Sequence, residues 1–141
     1  MNIKSNAFEY QASKVLAVLG NPFRVRLVMT LWAQEACVCH LELLLKKRQA
    51  YISQHLMALR EIDLLDTRRE GKFIYYRIAN EDIINLIKNA GLIAGYPQED
   101  LPRRQDIKVL DKCICPHCEG EGSAENTLQP ATNVMENNTK I

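Results

Sequence analysis

The feature that most constrains this chain is a change of hydrophobic period at Leu65. Before it, Val38, Leu41, Leu44 and Leu45 repeat at helical spacing, and so do Ile52, Leu56, Leu59 and Ile62. Only a short basic gap, Lys46-Lys47-Arg48, separates the two runs. After it the period falls to two: Phe73, Tyr75 and Arg77 alternate with Ile74, Tyr76 and Ile78. Leu65 to Arg69 reads as a partner strand, and Glu70-Gly71 supplies the glycine that a tight hairpin wants. A short helix, a brief turn, a second helix and then a hairpin make a helix-turn-helix followed by a wing.

The rest of the chain fits around that unit. Ala12, Val15, Leu16 and Leu19 predict a first helix running to about Gly20. Asn21 as N-cap and Pro22 at the first helical position then open a second helix over roughly Phe23 to Ala33. Its core face carries Leu27, Val28, Leu31 and Trp32. Asn80 is expected to cap a fifth helix, with Glu81 and Asp82 at its positive end and Ile83, Ile84, Ile87 and Ala90 on its apolar face. The expected fold is mainly α with a small β-hairpin, a winged helix-turn-helix with the hairpin between the fourth and fifth helices. Residues 1–95 are expected to form this DNA-binding and dimerisation domain. Residues 96–112 read as a linker, 113–118 as a Cys-rich metal-binding loop, and 119–141 as a disordered tail rich in Gly, Glu, Asn and Thr.

Charge supports a nucleic-acid partner. The formal net charge is only +1, but eight basic and four acidic residues lie between Lys46 and Arg77. The fourth helix buries Ile52, Leu56 and Leu59, so its opposite face presents Gln49, Tyr51, Ser53, Gln54 and His55 near its N-terminal end, where a recognition helix meets base edges. Lys46, Lys47, Arg48, Arg69 and Lys72 suit phosphates. Polar residues on the outer face of an amphipathic helix are usually only solvated; the turn, basic cluster and hairpin in the right order favour the DNA reading here. His55 has two readings, contact with DNA or a hydrogen bond inside the domain.

Five cysteines fall in two groups, Cys37 with Cys39, and Cys113 with Cys115 and Cys118. The N-terminus lacks a signal-peptide layout and no apolar run reaches the ~18 residues of a membrane span, so a cytoplasmic protein with no membrane partner is expected. In a reducing compartment, clustered thiols point to metal or redox chemistry rather than disulfides. In a regular helix, residues two apart point about 200° away from each other. Cys37 and Cys39 can therefore share an ion only if their helix starts late or unwinds there. Cys113-Ile114-Cys115-Pro116-His117-Cys118 packs three thiols into six residues, and Pro116 favours a loop that wraps an ion.

Residues 14–79 resemble the ArsR/SmtB family of metal-responsive repressors. The resemblance is carried by Leu16 to Arg24, by Cys37-Val38-Cys39, by Ser53 to Arg60 and by Arg68 to Arg77, in order and in spacing. It implies a homodimer joined by its terminal helices, bound to a two-fold symmetric double-stranded DNA operator and released by an inducer. It also implies that Cys37 and Cys39 form the sensing motif of the family's arsenic and cadmium branches. Arg48 stands where the family often has a small polar cap, and Ala50 where it often has Ser, which leaves the operator sequence open. Glu42 replaces the third Cys of the arsenic branch, no Cys precedes Cys37, and residues 80–93 lack the His of the zinc branch.

The expected function is a repressor that releases its operator when thiolates of Cys37, Cys39, Cys113, Cys115 and Cys118 bind a soft ion: As(III), Sb(III), Cd, Pb or Zn. No organic cofactor is expected. One rival keeps the fold and makes the thiols a redox or persulfide switch, with His40 as a nearby base. Another treats the C-terminal cluster as a structural zinc knuckle. A small thiol oxidoreductase is disfavoured, because Cys115-Pro116-His117-Cys118 has the spacing of such an enzyme without its strand-to-helix turn.

Overall fold

The computed structural model describes residues 3–110 of the chain, with side chains from Ala7 onward. The order is α1 (Ile3–Leu19), α2 (Pro22–Ala33), β1 (Ala36–Cys37), α3 (Val38–Leu45), α4 (Gln49–Glu61), β2 (Leu65–Glu70), β3 (Phe73–Ile78) and α5 (Asp82–Ile93). Two 3-10 turns follow, Gln98–Asp100 and Arg104–Asp106. Cys113, Cys115 and Cys118, together with the tail beyond them, lie outside the described residues.

Local chemistry sets the helix ends. The Asn21 side-chain oxygen accepts from the backbone N–H of Phe23 and Arg24 at 2.9 and 3.1 Å, and Pro22 enters with its φ already fixed. Lys46 closes α3 in the left-handed region, at φ 53°, without the glycine usual there. Asn80 acts one residue earlier than expected: Glu81 is the N-cap of α5, and the Asn80 side chain accepts from the backbone N–H of Asp82 at 2.9 Å. At the hairpin Glu70 pairs with Phe73, so Gly71 and Lys72 form the turn, and Gly71 takes a φ of 60°.

The core sits between α2, α3, α4 and α5. Leu27 and Val28 of α2, Leu41 of α3, Ile52, Leu56 and Leu59 of α4 and Ile84 of α5 are its largest fully buried apolar members. Two features depart from the sequence expectations. A third strand, β1, joins the wing in the order β1-β3-β2. Two residues are too short a run for any periodicity to announce. The segment read as a linker is also docked on the domain, with Ile107 and Leu110 only 3% and 2% exposed within the core cluster. Two isolated apolar residues carry no pattern, yet Ile107 lies beside α2 and α5, and the Leu110 backbone pairs with Gln34 at the end of α2. Leu101, Pro102 and Ile107 close one side of a cavity of about 410 Å³ that Phe23, Met29 and Ile87 line on the other.

Candidate DNA interface and thiol site

The α3–turn–α4 unit presents its basic turn outward. Lys46, Lys47, Arg48, Gln49 and Gln54 are exposed, Tyr51 is 40% exposed, and Ser53 is half-buried. Arg48 is the N-cap of α4, and its side chain makes no cap hydrogen bond. The first N–H groups of α4 thus keep their partial positive charge, which suits a phosphate. Tyr51 packs its ring on Phe23 and His55 at centroid distances of 4.8 and 4.6 Å, and the Lys47 ammonium lies 5.7 Å from the Tyr51 ring. These contacts fix how the ring leaves the helix. Arg69 and Lys72 stand exposed at the wing tip, with the Arg69 Nε donating to the Gly71 carbonyl at 3.3 Å.

His55 does not belong to that surface. It is 7% exposed, and its Nδ1 accepts from the Arg24 Nε at 3.0 Å. Arg24 also donates to the Val18 carbonyl at 3.2 Å, so one guanidinium ties α4 to the end of α1. Burial first, and the Arg24 charge second, hold the His55 pKa below its ordinary value. Of the two readings of His55, the hydrogen bond inside the domain is the one present in the structure, where the imidazole accepts from Arg24. Arg24 went unnoticed in this role because its partner lies 31 residues away and no local pattern links the two.

Cys37 and Cys39 meet the condition set by helix geometry. Cys37 is not helical: it is the N-cap of α3 with extended backbone, φ −82° and ψ 168°, and it pairs with Tyr75 in β3. Cys39 lies in the first turn. The helix starts late, and the two Sγ atoms come within 3.0 Å of each other, Cys37 buried and Cys39 half-buried. Among the described residues no group of three or more His, Cys, Asp or Glu side chains could hold a metal ion.

The same corner is tied to the wing and to the C-terminal segment. Arg68 of β2 donates to Glu35, beside β1, at 2.5 Å, and to Glu70 at 2.7 Å, while its guanidinium covers the Tyr75 ring at 4.7 Å. Those carboxylates, Glu35 foremost, push the Arg68 pKa up. Gln34, the C-cap of α2, accepts from the Leu110 N–H at 3.0 Å, and its Nε2 donates to the Leu110 carbonyl. His40 is 5% exposed, and burial pushes its pKa down against a weaker opposing hydrogen bond with the Leu110 backbone. Its Nε2 is the one buried side-chain nitrogen or oxygen without a partner among the described residues.

Known proteins are similar to this chain in sequence and in fold. The pattern of the family described as "Bacterial regulatory protein, arsR family" matches residues 21–67. The "Biofilm growth-associated repressor" of Agrobacterium fabrum is 41% identical over 98 residues, which are 67% of this chain and 84% of that protein. The "Cadmium resistance transcriptional regulatory protein CadC homolog" of Staphylococcus aureus is 31% identical over 81 residues, 57% of this chain and 67% of that one. Among solved structures, the homodimeric winged helix-turn-helix DNA-binding domain of a possible ArsR-family regulator from Mycobacterium bovis superimposes with a TM-score of 0.62. Its identity is 27%, covering 73% of this chain and 95% of the other. Neither the fold nor these relatives are those of an enzyme: the chain belongs to the ArsR/SmtB family of winged-helix transcriptional regulators.

Proposed function

We propose that the protein is a homodimeric repressor that lets go of a two-fold symmetric operator when a soft metal or metalloid ion is captured at Cys37 and Cys39. The observation that carries this reading is the late start of α3, which brings the two sulfurs within 3.0 Å at the leading edge of the helix-turn-helix. Thiolates favour As(III), Sb(III), Cd, Pb or Zn over harder ions. The homodimer and the metal class are consistent with the Mycobacterium bovis domain and with the cadmium-resistance relative. Gln49, Tyr51, Ser53 and Gln54 serve as the reading residues, and Lys47, Arg48, Arg69 and Lys72 hold the phosphates.

Geometry supplies a coupling. Two sulfurs bound tetrahedrally at the ~2.3 Å of a zinc–thiolate bond stand roughly 3.8 Å apart. Capture therefore spreads a pair that rests at 3.0 Å. Cys37 is held by its pairing with Tyr75, so the strain falls on the first turn of α3 and on β3, the two elements that set the recognition helix against the wing. Release requires that the ion bind the DNA-free arrangement more tightly than the DNA-bound one. Two sulfurs are too few for a tight soft-ion site, and the remaining thiols of the chain are Cys113, Cys115 and Cys118. At least one of them completes the shell.

The test is titration of As(III), Cd(II), Pb(II) and Zn(II) into the reduced protein bound to DNA upstream of its own gene. At least one ion is expected to release the DNA, and no release by any of them sinks the reading. The same sulfur proximity favours a second reading, a thiol redox switch, since a disulfide needs its sulfurs at ~2.05 Å. Release by a mild oxidant but by no ion would select it.

A further inference from the structure

We infer that the cavity between α2, α5 and the strap formed by residues 96–110 binds a small organic acid with an apolar body, and that its occupation weakens the hold on DNA. The walls are apolar: Phe23 and Met29 of α2, Ile87 of α5, and Leu101 and Ile107 of the strap. The volume of about 410 Å³ lies within the roughly 300–1,000 Å³ of small-molecule sites. The charge of the lining is one-sided. Arg26, Lys47 and Lys88 face a single acid, Asp106, which already accepts from the Arg103 Nε at 2.9 Å. Lys47 and Lys88 lie over the Tyr51 and Trp32 rings. Arg26 is half-buried and makes no ion pair among the described residues. A guanidinium held at an apolar wall without a carboxylate favours an anion that brings apolar surface of its own.

Helix geometry keeps the cavity clear of a second copy of the chain. At about 100° per residue, Gly91 shares its side of α5 with Ile84 and Ile87, and Ile93 stands about 200° round from Gly91. Ile93 is 88% exposed, so a dimer formed through it covers the opposite side of the helix. The link to DNA comes from two residues with double membership. Lys47 and Tyr51 line the cavity and also belong to the exposed surface of the helix-turn-helix. An acid that reaches them competes for the Lys47 charge and moves the Tyr51 ring from its seat on Phe23, itself a cavity wall. This link rests on the DNA roles proposed above for Lys47 and Tyr51. Binding in the cavity does not, and neither depends on the thiols.

The test uses the full-length protein and two fluorescent dyes with nearly the same apolar body, the anionic anilinonaphthalene sulfonate and the neutral phenylnaphthylamine. The sulfonate is expected to bind saturably and to be displaced by decanoate but not by decylamine. Arg26→Gln should weaken the sulfonate about tenfold, the size of one charge-assisted contact, while the neutral dye binds as before and reports an intact cavity. In a gel shift with DNA upstream of its own gene, decanoate should weaken binding several-fold in the parent and in Cys37→Ser with Cys39→Ser, but not in Arg26→Gln. The oligomeric state should not change with decanoate. No saturable binding, an equal loss or no loss of the two dyes in Arg26→Gln, or dissociation of a dimer by decanoate, which would put the acid between two copies, overturns the site. Arg26-dependent binding that leaves DNA affinity unchanged retains the site and overturns its link to DNA. Failure of every soft ion to release DNA sinks the thiol reading and leaves this site standing.

Discussion

The outer face of α4 and the first turn of α3 belong to the same helix-turn-helix, yet they are built in opposite ways. Gln49 and Gln54 project from a regular helix into solvent, and their placement depends on Ile52, Leu56 and Leu59 within the same thirteen residues. Cys37 and Cys39 depend on elements from the whole chain. The corner around them is tied by strand pairing with Tyr75, by an ion pair between Glu35 and Arg68, and by the hydrogen bonds of Leu110 with Gln34. A reading surface can change residue by residue without disturbing its support. A sensing site with so many attachments transmits any movement to the elements around it, which is what a switch requires.

The largest expected effect breaks the sensing half alone. Cys37→Ser with Cys39→Ser should abolish ion-driven release while the dimer and its DNA affinity persist, because neither residue belongs to the exposed face of α4 or to the wing tip. A double variant that still released DNA at the parent's ion concentration would remove these sulfurs from the mechanism. Next in size is the strap. A chain ending after Asp111 keeps Ile107 and Leu110 and should fold and bind DNA normally, with a strongly weakened ion response. A chain ending after Asp106 loses both side chains. Complete burial of one such residue is worth about 1.5–3 kcal/mol, so that chain should lose roughly 3–6 kcal/mol of unfolding free energy in urea. Equal stability of the two truncations would mean that the strap does not contribute to the fold.

The reading half gives smaller, selective losses. Gln54→Ala should lose ~1–3 kcal/mol on the operator and little on random DNA. Lys72→Ala should weaken both about equally and flatten the salt dependence. Fluorescence anisotropy with both DNAs at several salt concentrations checks the pair. Operator binding by Gln54→Ala as tight as that of the parent would take α4 out of base reading.

What the sequence made legible follows the same division. The helices, the turn and the hairpin announce themselves through local periodicity, and Asn21, Pro22 and Gly71 mark ends that the structure retains. The side chains of α4 could be assigned to faces because a helix fixes them from its own spacing. What stayed hidden was non-local. Ala36 and Cys37 become a strand only because β3 offers an edge, and Ile107 and Leu110 become core only because the helices folded earlier in the chain leave a place for them. His55 shows the limit most plainly. Its position on α4 was legible, but its inward use depends on Arg24, supplied by another helix.

That contact gives the smallest predicted effect, a pH dependence. The folded pKa of His55 lies below the ordinary 6.5, for burial and then the Arg24 charge disfavour the imidazolium. The unfolded chain therefore binds more protons than the folded one between the depressed pKa and 6.5, and stability rises with pH across that window. Its contribution is complete above 6.5 and is lost as pH falls toward the folded value. Protonation also removes the lone pair on Nδ1 that accepts from Arg24, and sets two cations side by side. The urea midpoint should accordingly be lower at pH 5.5 than at pH 7.5, and His55→Gln, which keeps an acceptor but no titration, should reduce that difference. Some dependence should survive in the variant, because His40 is depressed in the same direction. A His55→Gln protein with the parent's full pH slope would show that the Arg24–His55 bond does not carry the effect and would leave His40 as its source.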